Sequence, residues 1–151
     1  MSSNVVDLII YMVKRVHIGI SLQEINMDTL KGYNKSEISA AYSWLMQKFD
    51  HMDKSTVSKS SSNRPAPRVL HPSERLQVSP EVYGYLLELY YLGILDASSM
   101  ERLIEYAVFQ PEGIKSTSQI KQWVAGVLFN PEKEHPINNS SISLKGNETV
   151  N

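Results

Sequence analysis

Cysteine is absent from this 151-residue chain. That removes disulfide cross-links, thiolate metal ligands and a cysteine nucleophile, and it suits a reducing cytoplasm. An excess of charge of one sign is missing too: 15 basic residues face 16 acidic ones, so no overall field draws the protein toward nucleic acid or an anionic surface. Long apolar runs are lacking. The most apolar stretch, Val5 to Val13, is interrupted by Asp7 and followed by Lys14 and Arg15. A secretory signal carries its basic residues before the apolar run, and a membrane span needs about 20 apolar residues. The expectation is a cytoplasmic chain with no membrane association. A Gly-rich phosphate loop, a nucleophile elbow and a paired-His metal motif are also missing, which removes the enzyme classes that motifs betray most readily. The four histidines, His17, His51, His71 and His135, are scattered without ligand spacing, so no metal and no cofactor are expected.

What is present is enough apolar sequence, 42% of residues against 21% charged, to bury an ordinary core. Val5, Leu8, Ile9, Met12, Val13 and Val16 recur at three-and-four spacing and predict a helix over residues 4–18, stopped at Gly19. A second helix is expected near 22–31, with Ser21 as cap and Gly32 left-handed at its end. A third follows, in which Asn34 stands three residues before Glu37 and Ile38, Ala41, Tyr42, Leu45 and Phe49 form the stripe. Leu30 to Leu45 thus reads as helix, turn, helix. The second half restarts at Ser79-Pro80-Glu81, again at Asp96 and again at Ser116 with Gln119, each a start signal for a helix.

The fold class is therefore mainly α: a winged-helix-like three-helix unit, then a second three-helix unit, with a small optional β hairpin pairing residues near Met52 with Arg68, Val69 and Leu70. The expected divisions are a helix-turn-helix-like unit over 1–51, a flexible linker or wing over 52–72, a C-terminal helical unit over 73–130 and a disordered, Pro/Asn/Ser-rich tail over 131–151.

Charge is distributed unevenly. Residues 1–50 hold five basic and five acidic groups, residues 51–72 four against one, and residues 73–130 four against seven. The positive charge thus sits in the linker, and Lys54, Lys59, Arg64 and Arg68 are the candidate nucleic-acid contacts, against the alternative of a solvated basic linker. Tyr83, Tyr90, Tyr91 and Tyr106 are the candidate partner surface, against an ordinary core boundary, with Tyr91 and Tyr106 placed to meet across adjacent helices. Glu101 and Glu105, one helical turn apart, read as solvent-facing acids. Trp44 and Trp123 read as core anchors, and Gly84 and Gly126 as points of close helix packing.

The order of short motifs resembles the Smg family, also called DUF494, a family of small bacterial proteins. The resemblance rests on Gly32 and Tyr33; on Ile38, Ala41, Trp44 and Leu45; on Arg68 and Val69 leading to Glu74; on Gly84, Leu86, Leu87, Leu95, Glu101, Ile104 and Glu105; and on Val127 to Asn130. It spans residues 4–130, while Ser55–Ser62 and the tail look like departures from it. It implies a mostly helical cytoplasmic bacterial protein and transfers no catalytic residue. The leading reading is a non-enzymatic interaction module with a protein partner. The alternative is a winged-helix-like protein with weak, largely nonspecific DNA binding.

Overall fold

The first helix has more apolar surface than one neighbour can cover, and that fixes the architecture. The computed structural model describes residues 2–55 and 66–130. In it α1, Ser2–His17, buries Val5, Val6, Leu8, Ile9, Met12 and Val13, a wider face than a single stripe. It packs against both α2, Lys35–Ser55, and α6, Thr117–Phe129. Between them in sequence lie α3, Pro72–Gln77, α4, Pro80–Tyr91, and α5, Ala97–Phe109. α5 packs on α3, α4 and α6, and α4 also meets α6. The protein is mainly α-helical, as its periodicity predicts. Lys14 pairs with Glu88 of α4 at 2.5 Å and Asp7 with Lys121 of α6 at 2.9 Å; these outer pairs orient the helices more than they stabilise them.

α1 stops where expected. Gly19 takes φ +90°, and the amides of Gly19 and Ile20 return to the carbonyls of Val16 and Arg15, closing the helix end. The expected helix over 22–31 is replaced by two 3-10 turns, Leu22–Glu24 and Met27–Leu30. The reason is competition for backbone groups: Ser21 N–H donates to Glu24 Oε2 at 2.9 Å, Thr29 Oγ1 to the Asn26 carbonyl at 2.6 Å, and the Tyr42 hydroxyl to the Leu22 carbonyl. A carbonyl so engaged favours a turn over the i→i−4 ladder. Ile25, extended between the turns, enters the core. Gly32 does not adopt positive φ; the turn closes through Tyr33 N–H to the Leu30 carbonyl.

The cap at the start of α2 is reciprocal, with Asn34 N–H on Glu37 Oε2 at 2.9 Å and Glu37 N–H on Asn34 Oδ1 at 2.8 Å. Glu37 is buried, and Asn4 of α1 reaches its other oxygen at 3.4 Å. α2 then continues through Met52 to Ser55, past the expected boundary at 51. Met52 is therefore helical, and among the described residues there is no hairpin; residues 66–70 carry no regular structure. Pro72–Gln77 form α3, a short helix ahead of the first start expected in the second unit, at Ser79. His71 caps it, Pro72 occupies its first turn, and the His71 amide donates to Glu74 Oε2 at 2.8 Å.

The end of α3 and the segment between α5 and α6 are tied, among the described residues, by one parallel bridge between Val78 and Ile114. The Ile114 amide donates to the Gln77 carbonyl at 2.7 Å and the Ser79 amide to the Ile114 carbonyl at 3.1 Å. Gly113, at φ +67°, lets this approach happen: a Cβ there would lie 2.2 Å from the Gln77 oxygen. Gly84 and Gly126 do not mark close packing, since a Cβ at either would meet nothing within 4 Å. They sit on outward faces of α4 and α6.

Candidate interaction groove

Of the four candidate nucleic-acid contacts, Arg68 is engaged by carboxylates. Arg68 donates through Nη1 and Nη2 to Glu74 of α3 at 2.7 and 2.8 Å, and through Nε and Nη2 to Glu101 of α5 at 2.7 and 2.9 Å. Its backbone carbonyl accepts from the Tyr83 hydroxyl of α4 at 2.7 Å. The Arg68 guanidinium holds the Glu74 carboxyl down to about 2, with the His71 amide adding to the effect, while the two acids push the Arg68 guanidinium further above its usual range. Glu101 is thus half of a clamp and not merely a solvated acid. Lys54 lies in the last turn of α2, and Lys59 and Arg64 fall outside the described residues.

The four candidate tyrosines do not form one surface. Tyr90 is 4% exposed and belongs to the core. Tyr83 is fixed to Arg68. Tyr106 stacks on Trp123 with ring centroids 3.4 Å apart, and burial raises its hydroxyl pKa. Tyr91 is exposed and meets Tyr90 edge to face at 5.7 Å. Tyr85, which the sequence does not single out, encloses a hydroxyl with no hydrogen-bond partner, and burial raises its pKa.

An unfilled apolar surface lies elsewhere. Where α2 and α6 face each other above α1, a groove of about 430 Å³ opens. α2 lines it with Ala40, Ser43, Trp44, Gln47 and Lys48, and the end of α6 with Leu128 and Phe129. Positions 40, 43, 44, 47 and 48 are one face of a helix, beside the face that buries Ala41 and Leu45. Trp44 is therefore half-buried, and is a groove wall as well as a core boundary. Lys48 Nζ stands 5.7 Å from the Trp44 ring centroid, at the edge of cation–π range, and among the described residues it is the one charged group of the lining. Phe129 remains 38% exposed.

A smaller cavity of about 130 Å³ lies against the turn region, but its polar groups are occupied: the Tyr11 hydroxyl lies 3.4 Å from Thr29 Oγ1, Arg15 lies over the Tyr11 ring at 5.2 Å, and Glu24 accepts from Ser21. Among the described residues no three His, Asp or Glu side chains converge as a metal site would require, and no helix is long and apolar enough to cross a membrane.

Residues 5–147 match the family model described as "Protein of unknown function (DUF494)". The chain belongs to the DUF494 family. The resemblance read from the order of motifs is thus the family itself, and the match extends beyond that reading. Its bounds enclose Ser55–Ser62 and the tail as far as residue 147. No curated protein and no solved structure matches the chain.

Sequence reasoning missed the groove because its walls come from positions that score as core or surface one at a time. The available signal was the row Ala40, Trp44, Gln47 and Lys48, flanking the buried row, together with an exposed Phe at the end of α6.

Proposed function

We propose that this DUF494 protein is a non-enzymatic, cytoplasmic interaction module that holds a segment of a partner protein in the groove between α2 and α6. The observation that supports this reading is Trp44, a large aromatic of α2 that is packed on the core yet left partly exposed, facing Leu128 and Phe129 across the groove. Concave sites with an aromatic wall and a few polar groups are where binding energy concentrates. The lining supports a partner with two bulky apolar side chains against Trp44 and Phe129 and a carboxylate for Lys48. Ser43 and Gln47 add hydrogen-bonding groups at the margin.

The nucleic-acid alternative is weaker. It retains Lys54, Lys59 and Arg64, but Arg68 already meets two carboxylates. Three cations fall well short of the roughly 6 to 10 phosphate contacts that give strong, steeply salt-dependent binding.

A random peptide library selected against the full chain tests the reading. The expected winners carry paired bulky apolar residues and an acid, bind at least tenfold more weakly to Phe129→Asp, and lose their preference for the acid on Lys48→Gln. Peptides that bind wild type and Phe129→Asp equally, or a selection that enriches none, would remove the groove from the function.

A further inference from the structure

We infer that the groove has an occupant within the chain itself: residues 131–151 dock in it in cis through Ile142 and Leu144. The inference rests on the groove being a docking surface, as proposed above, and adds a regulator to it. The segment departs from the groove's own wall, because α6 ends at Phe129 and Asn130 has already left helical geometry at φ −134°, ψ 62°. Twenty-one residues follow Asn130. At about 3.3 Å per extended residue, the 12 to 14 steps to Ile142 and Leu144 cover on the order of 40 Å, ample for a return to Trp44.

The chemistry of the segment fits the lining. Ile142 and Leu144 are two apart in Ser140-Ser141-Ile142-Ser143-Leu144, a spacing that puts both on one side of an extended chain. That pair supplies the two apolar groups the walls call for. Glu132 and Glu134 follow Phe129 closely in the sequence, and Lys48 is the one charged residue among the described residues that line the groove. The family match continues past Asn130 to residue 147, so the matched span encloses Ile142 and Leu144 as well as the groove. Tethering makes even a weak contact effective, because a ligand on the same chain acts at an effective concentration on the order of millimolar. A partner segment then competes with the tail for the same walls.

The absence of cysteine allows the test to be made on the full chain. A nitroxide attached through Ser141→Cys should broaden the NMR signals of the Trp44 indole and of the Ala40 and Ser43 amides more than any others. Adding Ile142→Asp and Leu144→Asp should reduce that broadening at least threefold. A mixture of labelled-nitrogen chain without nitroxide and nitroxide-bearing chain without labelled nitrogen should show none. Broadening spread evenly over the surface, or equal broadening in the mixture, would overturn docking in cis. In the same double-aspartate chain, a peptide selected for the groove should bind at least threefold tighter than in wild type. Equal affinities would remove the tail as a competitor while leaving the groove a docking surface, whereas a tail signal at the groove with no peptide binding would remove the external partner instead.

Discussion

The surface around Arg68 and the surface around Trp44 both carry residues that attract functional attention, and they differ in how far neighbouring elements satisfy them. At Arg68, α3 and α5 each bring a carboxylate and α4 brings a tyrosine hydroxyl; the charged groups meet one another, and the cluster holds three helices in register. At Trp44, α1 supports α2 and α6 but the upper walls stay apart, so an apolar surface remains available. A conspicuous cation is thus engaged within the fold here, and an apparent core aromatic is left partly exposed at a groove. Bonding capacity left unused, more than residue type, separates a binding surface from a scaffold.

The comparison can be broken at four points. The largest effect is expected at the loop that supports the clamp: Gly113→Ala forces a side chain into positive φ and against the Gln77 carbonyl, and should cost about 3 kcal/mol in urea unfolding. A loss under about 1 kcal/mol would mean that the Val78–Ile114 tie is not fixed. Trp44→Ala comes next, at about 2 kcal/mol, below the roughly 3 to 5 kcal/mol of a fully enclosed aromatic. A loss in that higher range would show a closed core where the groove is drawn.

Arg68→Met should cost about 1 kcal/mol at neutral pH, since 43% of the Arg68 side chain is exposed and solvent screens the pair. Glu74 is held at about 2 in the folded chain, below the usual carboxylate value near 4.3. Its contribution is therefore complete above that unfolded value and lost as pH falls through about 2. The stability gap between wild type and Arg68→Met should narrow from pH 5 to pH 2, and a gap constant across that window would assign Arg68 to packing. The smallest effect is Tyr85→Phe, which removes a hydroxyl with no partner. It should leave thermal stability within about 0.5 kcal/mol of wild type or raise it, and a loss above about 1 kcal/mol would reveal a bonded hydroxyl.

Local chemistry made most of the helices legible. Ser79 with Pro80, Asp96, and Ser116 with Gln119 each open a helix where the sequence places one, because a cap needs only residues within one turn. Gly19 closes α1 for the same reason. What could not be read depends on distant groups. The 22–31 segment breaks into turns partly because Tyr42, twenty residues on, takes the Leu22 carbonyl. Arg68 finds Glu101 across 33 residues. α3 is too short, at six residues, to show an apolar period. Trp44 lies one helical step from the buried row of Ala41 and Leu45, and its exposure is set by where α6 ends, which no local pattern in α2 encodes.

The most direct test of the groove is a titration of the isotopically labelled full chain with a peptide selected against it, followed by two-dimensional NMR. The account predicts that the largest shifts fall on Ala40, Ser43, the Trp44 indole, Gln47, Leu128 and Phe129, with Arg68, Glu74 and Glu101 unmoved. Shifts centred on the Arg68 clamp or on the Tyr11–Thr29 cavity, with the groove signals unchanged, would contradict it.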